Sequence, residues 1–199
     1  DMGVKGTSFF RTAYFSSVVT SMVVVSIVWT FLYHKDIGLI NEFLNSVSFG
    51  LIDKINWLGD PAWSMPAIVI MSAWQGAGYQ MLIFLAGLQN ISEDLYEAAS
   101  LDGANSWQKF VNVTLPGLRN TTIFVIISTT IAAFGLFTQV DVMTSGGPAD
   151  STSTVMYHAV RKGFREQDIG YGSTISVVYF LVILAIAMGQ KYYFDKREK

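Results

Sequence analysis

Residues 65–88 carry the stretch MPAIVIMSAWQGAGYQMLIFLAGL, which contains no charged side chain. The hydrocarbon core of a bilayer is about 30 Å thick, and an α-helix needs roughly 20 consecutive, mostly apolar residues to cross it. This stretch meets that requirement. We therefore expect a membrane-spanning helix from Met65 to Leu88.

Three further windows in the chain meet the same requirement. They extend from Thr12 to Tyr33, from Thr121 to Val140 and from Ser173 to Gln190. One such window could be a buried helix of a large soluble protein, but four in 199 residues would leave no polar surface to enclose them. The sequence therefore predicts an all-α, polytopic transmembrane bundle with four membrane spans, forming a single domain over residues 1–199.

The composition narrows the possible functions. Hydrophobic residues make up 51% of the chain and charged residues 14%, and the mean hydropathy is +0.40. The net charge of −2 gives no indication of nucleic-acid binding. Cysteine is absent and the two histidines, His34 and His158, are far apart in sequence, so we expect neither a metal site nor metal chemistry.

The positive charges between the spans favour one orientation in the membrane. Short cytoplasmic loops carry an excess of Lys and Arg. With the N-terminus inside, eight such residues lie on the inner side and five on the outer side. The inner set is Lys5, Arg11, Lys109, Arg119, Lys191, Lys196, Arg197 and Lys199, and the outer set is Lys35, Lys54, Arg161, Lys162 and Arg165. Both termini are therefore expected in the cytoplasm.

The segment from Gln89 to Asn120 is too polar to cross the membrane. Ser92 followed by two acidic residues predicts a helix start, Asp102-Gly103 predicts a break, and Pro116 predicts the end of a second helix. The segment also presents apolar side chains such as Leu101 and Trp107. It is either a connector on the membrane surface or a docking element for a soluble partner.

Three motifs resemble the permeases of ABC importers, and their carbohydrate-importing branch in particular. EAASLDGANSWQKFVNVTLP, from Glu97 to Pro116, has the Glu-Ala-Ala, Gly and Leu-Pro spacing of the permease signature, with Val113 where the family most often has Ile. TSGGPADST (144–152) and GFREQDIGYGSTIS (163–176) resemble segments of maltose-type sugar permeases. The resemblance implies a type I importer permease core, similar to the large maltose permease subunit and to glycerol-phosphate permeases.

In that family the first motif forms the coupling helices, here at about 92–115, which seat in a cleft of a cytoplasmic ATPase. The residues that the resemblance assigns to this contact are Glu97, Ala98, Ala99, Asp102, Gly103, Leu115 and Pro116. No GxxxxGK[ST] phosphate loop occurs in the chain. ATP and Mg²⁺ are therefore expected on a separate ATPase subunit, and we expect this chain to be a transporter subunit with neither catalytic residues nor a cofactor of its own.

The resemblance also indicates a solute pathway through the second and third spans. Counted by spacing from the motifs, the lining positions are Ser72, Gln75, Gly76 and Tyr79 in the second span and Thr129, Ala133 and Leu136 in the third. Ser72, Gln75 and Tyr79 also form a polar stripe at helical spacing. Packing against a neighbouring helix would use the same small and polar residues. Ala133 and Leu136 replace hydrogen-bonding amides of the maltose pattern, so the solute is held differently.

The resemblance implies a set of partners and a location. We expect a dimer of ABC ATPases, a second, homologous permease subunit, an extracytoplasmic solute-binding protein and the lipid bilayer, in a bacterial inner membrane. Family members have further spans upstream, so the chain is expected to lack N-terminal spans. The alternatives are an ABC permease for a non-sugar solute and, less favoured, a channel.

Overall fold

The computed structural model describes residues 7–196, and every regular element in that range is helical. Lys5, Arg197 and Lys199, which contribute to the charge count, lie outside the described residues. Eleven α-helices and two π-helical turns follow one another along the chain. The α-helices are α1 (Thr7–Val19), α2 (Met22–Leu32), α3 (Leu39–Val47), α4 (Pro61–Gln89), α5 (Glu93–Leu101), α6 (Ser106–Lys109), α7 (Leu115–Gly117), α8 (Arg119–Phe134), α9 (Thr138–Met143), α10 (Val155–Val160) and α11 (Ile169–Lys196); the π-helical turns are Phe110–Thr114 and Arg161–Arg165.

Two helices are long and apolar enough to cross a bilayer by themselves, α4 and α11. They contain the predicted windows 65–88 and 173–190. Two bent helix pairs are long and apolar enough only when each pair is taken as one span. They are Arg11–Val19 with Met22–Leu32, and Ser106–Gly117 with Arg119–Phe134. The described part of the chain therefore contains between two and four candidate spans.

The predicted window 12–33 is interrupted. Thr20 and Ser21 are not helical, and the helix axes on either side differ in direction by 108°. Ser16, Ser17 and Thr20 each donate a side-chain hydrogen bond to a backbone carbonyl three or four residues earlier, a pattern that bends helices. The window therefore forms a sharp elbow instead of a continuous helix.

The predicted window 121–140 also differs from the observed helices. Helix α8 ends at Phe134, and Gly135–Phe137 separates it from the short helix α9. Val140 and Met143 of α9 are buried in the protein core and not exposed to lipid. The window is apolar to its end because its last residues face other helices.

The hydrophobic core lies at one end of the bundle, where α2, α9 and α10 meet the first half of α4. Buried side chains shared among these elements include Val25, Ile68, Met71, Val140 and Tyr157. In contrast, α11 is exposed over most of its length, as expected for a helix that faces lipid or a partner.

Asn41 organises the connection between α2 and α4. Its side chain is 3% exposed. The amide nitrogen donates to the carbonyls of Lys35 at 2.9 Å and Ile55 at 2.8 Å, and Oδ1 accepts from the Trp57 indole at 3.0 Å. Trp57 in turn stacks edge-on against Trp63 in the first turn of α4, with ring centroids 5.3 Å apart. The Trp57 indole, 7% exposed, therefore belongs to the protein core.

Replacement of Asn41 by alanine should destabilise this end of the bundle. The buried Trp57 indole and three part-buried backbone groups of Lys35 and Ile55 would lose their partners, at a cost of about 2 kcal/mol in the free energy of unfolding. Thermal unfolding of the detergent-purified protein, followed by tryptophan fluorescence, measures the effect. Asn45→Ala, on an exposed position of the same helix, is the control. Equal midpoints for the two variants would contradict the role assigned to Asn41.

Candidate functional site

The connection between α4 and α8 folds into two helical limbs, here called the 92–117 hairpin. The first limb is α5, and its N-cap residue is Ser92. The Ser92 Oγ accepts a hydrogen bond from the Asp94 amide at 3.3 Å. Glu93 and Asp94 lie in the first turn, where negative charge favours a helix N-terminus. The predicted start of this helix is therefore observed.

Gly103 makes the turn between the limbs. Its φ of +76° lies in the left-handed region that glycine adopts at low cost. The second limb begins at Asn105, which forms a capping box with Gln108: each side chain accepts from the other residue's backbone amide, at 2.9 and 2.8 Å. The predicted break at Asp102-Gly103 is observed.

The second limb passes Pro116 before it ends. It continues from α6 through the π-helical turn Phe110–Thr114 into α7, which contains Pro116. A proline has no amide hydrogen, and its ring clashes with the carbonyl four residues earlier in an α-helix. The wider π-helical turn relieves that clash, since the Leu115 amide bonds five residues back to Phe110. The second limb therefore ends at Gly117, one residue later than the predicted end at Pro116.

Side-chain contacts hold the two limbs together. The hydroxyls of Tyr96 and Thr114 are 2.9 Å apart, and Lys109 Nζ donates to Ser100 Oγ at 2.6 Å. None of the helical segments in the hairpin has a buried residue, so the hairpin projects from the bundle. It is a locally braced, solvent-exposed element.

The residues assigned to ATPase coupling lie in two places on the hairpin. Ala99, Asp102 and Gly103 line a shallow cavity of about 310 Å³ between the limbs, together with Ala104, Gln108 and Asn112. Glu97 and Ala98 are exposed on α5, and Leu115 and Pro116 are exposed near the base of the second limb, away from that cavity. The exposed indole of Trp107 and side chain of Leu101 add apolar area at the tip.

The predicted pathway residues of α4 do not share one environment. Gln75 is buried, and its amide nitrogen donates to the carbonyls of Ser17 at 3.3 Å and Thr20 at 3.2 Å. Ser72 donates to the Ile68 carbonyl within its own helix. Tyr79 is 56% exposed, and Gly76 has open space around it.

One predicted pathway residue of α8, Thr129, bonds to α4. Thr129 Oγ1 accepts from Gln80 Nε2 of α4 at 2.9 Å. Ala133 is exposed, whereas Leu136 lies in the turn after α8 and packs against the core. Gln80 was not among the predicted residues, although a polar amide in an apolar span is itself a signal of function or interhelical contact.

An ion-pair cluster occupies the opposite end of the bundle from the hairpin. Arg165 pairs with Asp141, and its guanidinium carbon lies 5.8 Å from the centroid of the Tyr157 ring. Arg161 is 3.5 Å from both Asp150 and Glu166. The hydrogen bond from Lys162 lowers the pKa of the Glu166 carboxyl. Asp141, an isolated acid in the sequence, thus has a partner.

Among residues 7–196, no three His, Asp or Glu side chains converge as a metal site would require.

Comparison with known proteins gives matches over nearly the whole chain. The family model for the "Binding-protein-dependent transport system inner membrane component" matches residues 3–199. The chain is 36% identical to the arabinooligosaccharides transport system permease protein of Halalkalibacterium halodurans over 192 residues, 95% of this chain and 60% of that protein. It is also 36% identical to the lactose transport system permease protein of Rhizobium radiobacter, over 95% of this chain and 64% of the relative.

A third relative is the trehalose/maltose transport system permease protein of Thermococcus litoralis, 33% identical over 93% of this chain and 61% of the relative. The chain therefore spans less than two thirds of the length of these three relatives.

The fold also matches solved structures. A chain from the crystal structure of a bacterial ABC transporter involved in the import of the acidic polysaccharide alginate superimposes with a TM-score of 0.84. The match covers 99% of this chain and 69% of that one, at 20% sequence identity. This similarity identifies the ABC importer permease fold.

Removal of the Tyr96 hydroxyl should loosen the hairpin without unfolding the bundle. Tyr96→Phe loses one hydrogen bond worth about 1 kcal/mol, which corresponds to a roughly fivefold increase in local opening. Amide hydrogen exchange of peptides from residues 93–114 measures that opening. Tyr192→Phe, at an exposed position of α11, is the control. Unchanged exchange in the Tyr96 variant would show that this hydroxyl does not brace the limbs.

Proposed function

Because the chain belongs to the family of binding-protein-dependent transport system inner membrane components, we propose that it is a permease subunit of an ATP-driven importer. It passes a sugar or a related polar solute through the membrane by alternating access. The carbohydrate class is supported by the permeases for arabinooligosaccharides, lactose and trehalose/maltose to which the chain is similar.

The proposed topology has four spans, with both termini and the 92–117 hairpin in the cytoplasm. The proposed spans are the α1–α2 elbow, α4, α8 and α11; α8 has 16 residues and reaches the length of a span only together with part of the second limb. Among the described residues, the inner side then carries Arg11, Lys109, Arg119, Lys191 and Lys196. On the outer side, Lys54, Arg161, Lys162 and Arg165 are each held by a carboxylate of this chain. The proposed location is a bacterial inner membrane.

The observation that carries the proposal is the hairpin itself. It joins the inner ends of two spans, is exposed on all its helical segments and is braced internally. A rigid knob of this kind can seat in a cleft of an ATPase dimer, with Ala98, Ala99 and Gly103 permitting close approach. Glu97 and Asp102 can pair there with cations.

Movement of the hairpin would reach both spans that it joins. Helix α4 ends three residues before the first limb, and α8 follows the second limb after a bend of 60°. The Gln80–Thr129 hydrogen bond holds α4 and α8 to each other. Closure of an ATPase dimer on ATP would therefore shift α4 and α8 as a pair. ATP and Mg²⁺ would be held by that ATPase, and the hairpin of this chain would transmit the movement to its membrane helices.

The solute path is proposed to run beside α4 and α8. Tyr79, Gly76 and Ala133 are accessible there, and Ser72 and Thr129 add hydroxyl groups. A second, homologous permease would cover the exposed apolar faces and complete the path. A solute-binding protein would deliver the solute at the outer end, near Leu136 and the ion-pair cluster.

The decisive experiment is co-purification of the full-length natural protein with candidate ATPases, followed by ATPase assays with sugars presented on a binding protein. We expect one sugar to stimulate hydrolysis. Stimulation by a non-sugar solute alone would correct the substrate class, and the absence of any associated ATPase would contradict the importer function.

Substitutions at Gly103 test the coupling role. Gly103→Ala and Gly103→Trp both force a side chain onto a positive φ, at a cost of about 1 kcal/mol, but only tryptophan adds bulk at the exposed tip. We expect the alanine variant to keep most solute-stimulated ATPase activity and the tryptophan variant to lose more than about tenfold, since a misfit of 1.4 kcal/mol already gives that factor. Glu93→Gln, on the same hairpin outside the motif, is the control. Full activity of the tryptophan variant would show that Gly103 makes no close contact with the ATPase.

A further inference from the structure

The elbow between α1 and α2 leaves backbone carbonyls without helical partners, in a window apolar enough to lie within a membrane. A helix leaves its last four carbonyl groups unpaired, and within a bilayer there is no water to satisfy them. At this elbow the carbonyls in question include those of Ser16, Ser17 and Thr20. The elbow can persist only if other groups donate to them.

Two side chains supply the donors. Thr20 Oγ1 donates to the Ser16 carbonyl at 3.0 Å, so this first donor is local in sequence. Gln75, from the middle of α4, donates from one amide nitrogen to the carbonyls of both Ser17 and Thr20. The second donor connects the end of α1 and the break itself to a different helix, α4.

The surface of α4 is shaped for this contact. Gly78, one turn from Gln75, lies against the Tyr14 carbonyl and the Val18 side chain, so that a Cβ at this position would overlap α1. Gln75 is 9% exposed and Ser17 is 3% exposed. Close approach at Gly78 brings α1 within reach of the Gln75 amide.

No other side chain on this part of α4 could take over the role. Ser72 has one hydroxyl donor, which is engaged with Ile68. At position 75 itself, a glutamate would have no hydrogen-bond donor when ionised, and an asparagine would be one methylene shorter. Gln75 Oε1 is buried and has no partner among the described residues, so the amide nitrogen carries every hydrogen bond that this side chain makes here.

We infer that Gln75 is a positioning residue: its amide nitrogen holds the α1–α2 elbow at a fixed angle against α4. The consequence for transport rests on the proposed function, because the elbow would then set the shape of the path beside α4. The geometric role does not depend on the solute. Gln75 thereby acts through the backbone of α1 and not as a direct ligand of the solute.

Spin labels at both ends of the elbow can measure its angle. Arg11 and Phe31 are exposed positions on α1 and α2, and the 199 residues contain no cysteine to interfere with labelling. With axes at 108° these positions lie about 18 Å apart, and about 30 Å apart if the span straightens, at 1.5 Å rise per residue. The label tethers lengthen both distances. Double electron–electron resonance on the full-length protein in lipid nanodiscs separates the two cases.

Gln75→Met keeps the length of the side chain and removes both donors. We expect its distance distribution to shift by about 10 Å or more toward the straight value, given the helical rise. Gly78→Val should shift it in the same direction because the added atoms displace α1. Gln75→Asn should give a mixture of short and long distances. Gln80→Met, which removes an amide from the same helix away from the elbow, should leave the distance unchanged.

A second label pair, on Phe124 of α8 and Val177 of α11, reports whether the rest of the bundle is intact and should not change. An unchanged Arg11–Phe31 distance in Gln75→Met would overturn the inference. If that variant does not fold, an unchanged distance in Gln75→Asn together with Gly78→Val would overturn it. The distance is read without solute or ATPase, so failure of the importer function would appear only in the ATPase assay.

Discussion

A bilayer offers no hydrogen-bond partner to an interrupted helix, and this constraint determines how the described helices are joined. The chain is interrupted at residues 20–21 and at residues 135–137, within windows apolar enough to be membrane spans. At the first interruption the donors are Thr20 itself and Gln75 of α4. At the second, the Tyr179 hydroxyl of α11 donates to the Phe134 carbonyl at 2.9 Å, and the Thr154 hydroxyl donates to the Leu136 carbonyl at 2.7 Å. Each interruption therefore accepts hydrogen bonds from a residue distant in sequence, which fixes one element against another.

Helix α8 has a central place in this arrangement because adjacent threonines on it face different helices. Thr129 accepts from Gln80 of α4 at 2.9 Å, and Thr130 accepts from Gln190 of α11 at 3.1 Å. Since α8 also follows the second limb of the 92–117 hairpin, after a bend of 60°, a displacement of the hairpin would reach α4 and α8 directly and α11 through the Thr130–Gln190 bond. Hydrogen bonds between membrane helices contribute about 0.6–2 kcal/mol each. Bonds of that strength can align helices and still permit them to move.

The sequence predicted the parts of this structure that depend on local chemistry. The windows 65–88 and 173–190 became α4 and α11, and the hairpin turn at Gly103 followed from the conformational freedom of glycine. The elbow at residues 20–21 could not be predicted from hydropathy, because two residues hardly change the average over a span. Its donor, Gln75, lies 55 residues from Thr20. The contact exists only once α1 packs against α4.

The same reasoning explains why the geometry of the proposed coupling residues was easier to predict than that of the proposed solute path. The coupling motif is contiguous and exposed, so its geometry follows from caps and turns. An apolar window, in contrast, is equally suited to lipid and to a protein core, which is why α9 was included in a span although Val140 is fully buried. Polar residues inside spans have a similar ambiguity, since an amide can bind a solute or a neighbouring backbone. The amide nitrogens of Gln75, Gln80 and Gln190 all bond to other helices. Groups that contact the solute are therefore to be sought among the accessible hydroxyls between α4 and α8, where Tyr79 is more than half exposed.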